Sequence, residues 1–199
     1  MTTVFDEWLC NDIGSVFIQL FDVALGVWLG RRASLCIFNG TCGHALALEH
    51  TGDLYSCDHF VEPDYLLGNI RQTHMLELVT SPQQARFGQV KSTALPKYCR
   101  ECEVRFMCNG GCPKDRILKT PDGEPGLNFL CEGYRNFFNH IDLYMKMMAM
   151  LVRMQRPPAE IMQYADQLLP ASGPRGTSHG SRRTPITKRG ERSRKSAGL

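Results

Sequence analysis

Eight of the nine cysteines stand in one ordered series: Cys36, Cys42 and Cys57, then Cys99, Cys102, Cys108 and Cys112, then Cys131. No other feature restricts the fold as strongly. Eight thiolates complete two four-cysteine sites, enough for two iron–sulfur cubanes or two structural zinc ions. A chain that spends its ligands this way folds around inorganic groups as much as around an apolar core.

A secreted disulfide framework is the other common use of many cysteines. The odd total, the lack of a charged-then-apolar leader and the short C-x2-C spacing all speak against it. No apolar run approaches the roughly twenty residues of a membrane span, so no membrane association is expected and the default location is the cytoplasm. Cys10, in the segment DEWLCND, lies outside the series and reads as a small packing residue at a helix end.

With 199 residues, 43% of them hydrophobic, the chain can form one domain with a core but not a second enzyme domain. The net charge of +3 is unevenly spread, since Pro170 to Leu199 holds eight Lys or Arg against the single acid Glu191. This stretch has almost no apolar residue and is expected to be a disordered, solvated tail. It lacks the interleaved aromatics that would suit nucleic acid, so nucleic acid is not an expected partner.

Periodicity gives a coarse layout. FDEWL reads as the end of a helix, Ser15 to Asp22 (SVFIQLFD) as a buried strand, and VALGVWLG as a short apolar helix. From His44 to Cys57 the alternating apolar positions flank Thr51-Gly52-Asp53, the signature of a β-hairpin that would hold Cys42 and Cys57 close together. EPDYLLGNI reads as loop. His74 to Phe87 reads as helix with Pro82 opening a second one. Residues 95–135 are rich in Cys, Gly and Pro and have little periodicity, so they are expected to fold around metal. Asn136 to Met154 has helical spacing, and Pro157-Pro158-Ala159-Glu160 opens a further helix to about Leu169. The methionine-rich face (Met145, Met147, Met148, Met150, Met154) is expected to pack, not to ligate.

Soft thiolates suit zinc and iron–sulfur clusters alike. Zinc ribbons bring two C-x2-C knuckles, whereas here only Cys99 and Cys102 make such a pair. The run C-x2-C-x5-C-x3-C, followed by a late cysteine, is closer to ferredoxin-like runs, in which one late cysteine can ligate the other cluster. His44, His50 and His59 lie near the series, but with the thiolate count complete they are expected to hydrogen-bond or face solvent.

The run Cys99-Arg-Glu-Cys102-x5-Cys108-Asn-Gly-Gly-Cys112-Pro, with Cys131 beyond it, resembles the SPASM cluster-binding domain of radical S-adenosylmethionine enzymes. The segments LALEHTGDLYSCDHFV, LLGNI, LPKYCRECEVRFMCNGGCPK, TPDGEPGLNFLCEGY and PAEIM resemble the C-terminal half of anaerobic sulfatase-maturating enzymes over about residues 5–165. That resemblance implies two auxiliary [4Fe-4S] clusters, the first held by Cys36, Cys42, Cys57 and Cys112 and the second by Cys99, Cys102, Cys108 and Cys131. It implies oxidation of a cysteine or serine of a sulfatase peptide to Cα-formylglycine, started by a 5′-deoxyadenosyl radical, with the clusters accepting an electron. It places the proton-accepting base at Asp58.

The chain departs from that family in lacking C-x3-C-x2-C, the motif that binds the catalytic cluster, and with it the S-adenosylmethionine contacts. A fragment that cannot generate the radical by itself is therefore expected, its partner being a missing radical domain or a separate protein that supplies it. The expected fold is a small, irregular α+β domain. A β-hairpin and cysteine-rich loops surround two clusters, C-terminal helices follow, and residues 1–31 form a strand and helix left from a partial β/α barrel. The expected boundaries are 1–31, 32–169 and 170–199. A zinc-stabilised, non-enzymatic binding module is the competing reading.

Overall fold

The computed structural model describes residues 1–168; the basic tail and the expectation attached to it lie outside the described residues. The spine is a 23-residue helix at Cys131–Arg153. Its buried residues Phe137, Phe138, Ile141, Tyr144, Met145 and Met148 recur at three- and four-residue spacing, so one stripe faces inward. Of the methionine-rich face, Met145 and Met148 are fully buried, while Met150 and Met154 are exposed.

Two N-terminal helices cover that stripe. The first, α1, spans Thr2–Asn11 and the second, α2, spans Gln19–Trp28. Phe5 of α1 meets Phe21 of α2 edge to face at 5.2 Å and also contacts Phe137 and Tyr144 of the spine helix. Trp28 Nε1 donates to Asp142 Oδ1 on the spine at 3.0 Å. A turn at Pro158–Ile161 and the helix Met162–Leu168 close the far side against α1 and the spine.

The buried strand expected at Ser15 to Asp22 does not form. The chain turns at Gly14, where φ is 84°, leaves Val16 and Phe17 exposed, and enters α2 at Gln19. A short apolar run does not by itself distinguish strand from helix. Here Phe21, Ala24 and Trp28, at i, i+3 and i+7, find an apolar partner in a helix, and helical spacing wins.

The expected hairpin is present, with β1 at Ala47–Leu48 and β2 at Asp53–Tyr55. It is joined by a third antiparallel strand, β3, at Leu66–Asn69, in the segment read as loop. Gly68 sits opposite Leu54, where its missing Cβ makes room for the side chain of Leu78. Beyond the sheet come α3 (Met75–Val79) and α4 (Pro82–Thr93), the latter capped by Ser81 Oγ, which accepts from the Gln84 N–H at 3.2 Å. Two one-turn helices follow, α5 (Lys97–Arg100) and α6 (Arg105–Cys108), then a small hairpin of β4 (Leu118–Lys119) and β5 (Pro125–Leu127). The spine is then α7, and the last helix is α8. No described helix is long and apolar enough to cross a membrane.

Candidate metal centre

The eight cysteines of the series fall into two sets of four around two cavities. Cys36, Cys42, Cys57 and Cys112 line the first, a cavity of about 550 Å³. Cys99, Cys102, Cys108 and Cys131 line the second, of 370 Å³. Cys10, on α1, lines neither.

Local structure places each thiol. Cys36 opens a single 3₁₀ turn, Cys36–Phe38, anchored by the buried Phe38 ring against Tyr134 and Phe138 of α7. The Cys42 N–H donates to the carbonyl of Gly88 on α4 at 3.1 Å. A Cβ at Gly88 would lie 2.9 Å from the Cys42 carbonyl oxygen, so only glycine permits this approach. Cys57 follows β2, and the next N–H, of Asp58, donates to the Ala45 carbonyl at 2.9 Å, drawing the hairpin ends together.

The loop from Cys108 to Cys112 joins the two cavities. Asn109, Gly110 and Gly111 all have positive φ, at 47°, 73° and 64°. This left-handed run turns the chain so sharply that Cys108 faces the second cavity and Cys112 the first. Side-chain groups fix it from three sides. Asn109 Nδ2 donates to the Phe38 carbonyl at 2.8 Å, the buried Asn128 Nδ2 reaches the Cys112 carbonyl at 3.4 Å, and Arg116 donates to the carbonyls of Asn109, Gly110 and Gly111.

In the second cavity, Cys99 lies on α5, Cys102 just after it, Cys108 at the end of α6 and Cys131 at the start of α7. Arg135 fastens α7 to the Cys102 segment, with Nε 2.8 Å from Glu103 Oε1 and Nη2 3.2 Å from Oε2. The Arg135 guanidinium and the Asn139 amide hold the Glu103 carboxyl down to about 2.

Burial dominates the thiol chemistry. It pushes Cys57 and Cys108 each up to about 11, and for Cys57 the Asp58 carboxylate adds to the rise. Such thiols keep their protons until a metal displaces them. The Cys57 thiol donates to Asp58 Oδ1 at 3.2 Å, and His59 Nδ1 lies 3.4 Å from Cys112 Sγ. Asp58 itself is exposed beside the first cavity. His44 and His59 line that cavity, whereas His50 is exposed near Glu49.

Several residues that carry no sequence signal also shape the site. Lys91, Gln84 and Asn128 are buried polar side chains, and Lys91 lines the first cavity. Gln84 Nε2 ties the Gly43 and Ser56 carbonyls together at 3.1 Å each. A polar helix such as PQQARFGQVKST carries no pattern that marks which of its side chains points inward. Among the described residues no three His, Cys, Asp or Glu groups converge tightly enough for a single metal ion. Each cavity is lined by four soft donors, a set that suits a zinc ion or an iron–sulfur group.

Comparison with known proteins agrees with this chemistry. Residues 36–103 match the SPASM family, described as an iron–sulfur cluster-binding domain. The chain is 47% identical over 163 residues to a serine-type anaerobic sulfatase-maturating enzyme of Bacteroides thetaiotaomicron, covering 82% of this chain and 39% of that protein. It is 32% identical over 143 residues to a cysteine-type counterpart of Clostridium perfringens, covering 70% and 38%. The chain thus spans about two fifths of these relatives' length. The structure of anSMEcpe with bound AdoMet and the Cp18Cys peptide aligns with a TM-score of 0.64 at 30% identity, over 76% of this chain and 42% of that one. In sequence and fold, the chain is similar to part of the anaerobic sulfatase-maturating enzymes, and its residues 36–103 match the SPASM iron–sulfur cluster-binding domain.

Proposed function

We propose that this chain is the auxiliary-cluster part of an enzyme that oxidises a cysteine or serine of a sulfatase peptide to Cα-formylglycine. Cys36, Cys42, Cys57 and Cys112 hold a first [4Fe-4S] cluster, and Cys99, Cys102, Cys108 and Cys131 a second. The observation that carries this reading is the sorting of eight thiols into two four-cysteine cavities across one left-handed loop. When bound, the clusters supply an acceptor for one electron.

The chain's own contribution lies at Asp58. In the oxidation, Cβ of the target side chain loses a hydrogen atom to the 5′-deoxyadenosyl radical, the thiol or hydroxyl loses a proton, and one further electron leaves. Two electrons and two protons are then gone, which is the oxidation level of an aldehyde, or of a thioaldehyde that water hydrolyses. Asp58 is exposed, next to Cys57 of the first cavity whose thiol donates to it, and it takes the proton. The radical comes from S-adenosylmethionine bound by polypeptide outside these 199 residues, either the rest of a longer enzyme or a separate protein. C-x3-C-x2-C does not occur in this sequence.

A zinc-stabilised binding module would use the same cysteines, but four thiolates at about 2.3 Å from one ion must lie within about 4 Å of each other. The match of residues 36–103 to an iron–sulfur cluster-binding domain favours the larger group. Anaerobic reconstitution with iron and sulfide, followed by elemental analysis and EPR, separates the two. About eight irons per chain support two cubanes; two zinc ions in a colourless protein reject them.

A further inference from the structure

The first cavity contains a buried cation with no carboxylate to balance it. Lys91 is 1% exposed, and its Nζ donates to the carbonyls of Cys36 at 2.5 Å and Ile37 at 3.0 Å. Among the described residues no Asp or Glu lies within ion-pairing distance of it. A buried ammonium with only carbonyl partners is costly unless an anion neutralises it. Lys91 lines the cavity shared by Cys36, Cys42, Cys57 and Cys112, so the anion that fits is what those thiolates hold.

The second cavity is built differently. Its lining cations are Arg105 and Arg135, of which Arg135 is already paired with Glu103 and Arg105 is exposed and donates to the Arg100 carbonyl, while Arg116 lies between the cavities and its charge acts on thiols of both. We propose that Lys91 is the buried counter-cation of the first cluster and raises that cluster's reduction potential, leaving the second unaffected. The inference rests on the two-cluster reading above. Its physical basis is that a fixed positive charge in a low-dielectric site stabilises the more negative, reduced form of a neighbouring cluster. The electron leaving a substrate radical is then drawn toward the cluster that lies beside Asp58.

The test is an anaerobic redox titration of the reconstituted full chain, followed by EPR, on the wild type and on Lys91→Gln, Lys91→Met and Lys91→Arg. Glutamine retains donors for the two carbonyls, methionine retains the apolar volume, and arginine retains the charge. Both neutral variants are expected to lose at least tenfold in the reduction equilibrium of one cluster, about 59 mV for one electron, with the other cluster unmoved. Lys91→Arg is expected to keep both potentials near wild type. A neutral variant that loads fully and keeps both potentials overturns the proposal. If neither neutral variant loads iron but Lys91→Arg does, the need for charge is upheld; if all three fail, shape and not charge is required and the proposal falls. A wild-type chain that binds no iron overturns the two-cluster reading itself, before any variant is compared.

Discussion

Arg116 Nη1 donates to the backbone carbonyl of Lys91 at 2.8 Å. Through this bond the last turn of α4 is tied to the loop that separates the two cavities, because the same guanidinium holds the carbonyls of Asn109, Gly110 and Gly111. One side chain thus fixes the buried lysine of the first site and the hinge that delivers Cys108 to the second.

The glycines of that hinge should therefore be indispensable to both clusters. A Cβ at Gly111 would lie 2.4 Å from Asn128 Nδ2, and one at Gly110 would lie 2.3 Å from Leu95. With the left-handed strain added, Gly111→Ala is expected to cost about 1–3 kcal/mol and to lower iron content at both sites. Gly26→Ala on α2, where nothing lies within 4 Å, is the control and should leave iron content unchanged. Elemental analysis and thermal melts compare the two.

Gly88→Ala should act on one site alone. Its new Cβ would meet the Cys42 carbonyl at 2.9 Å and push Cys42 away from the first cavity. Iron is expected to fall to about half, as for loss of one of two cubanes, with the EPR signal of the other retained. Equal loss from both sites would contradict this.

The aromatic core should be separable from the metal sites. Phe5 is fully buried against Trp8, Phe21, Phe137 and Tyr144. Phe5→Ala is expected to cost about 3–5 kcal/mol in denaturant unfolding, yet leave iron stoichiometry intact in the folded protein.

Acid should weaken the hairpin that carries Cys57. Thr51 Oγ1 and Asn69 Nδ2 each donate to the Asp53 carboxylate at 2.8 Å and hold it below its ordinary value of 3.8. A depressed carboxylate contributes its stability above pH 3.8 and loses it as pH falls through the lower folded value. Asp53→Asn should remove that acid-dependent part of the unfolding curve, measured on the metal-free chain.

The sequence and the structure agree where a pattern is local and diverge where a partner decides. The turn chemistry of Thr51-Gly52-Asp53 marks its hairpin, and the four cysteines that the family resemblance assigns to each cluster line one cavity each. The strand expected at residues 15–22 fails because SVFIQLFD is short and apolar, and what makes it helical from Gln19 onward is α7, more than a hundred residues later. β3 is not legible in EPDYLLGNI because a strand glycine shows its purpose only once the Leu78 side chain packed on it is known. Lys91 and Arg116 could not be singled out, since a lysine in a polar helix and an arginine in a loop look like surface residues until their carbonyl partners are known.

Iron and acid-labile sulfide content of the anaerobically reconstituted chain, read together with single Cys→Ala variants, tests the two-cluster proposal most directly. About eight irons and eight sulfides per chain are expected, with Cys57→Ala impairing the first cluster and Cys102→Ala the second. A colourless chain that binds two zinc ions, or one whose iron is indifferent to these cysteines, would contradict it.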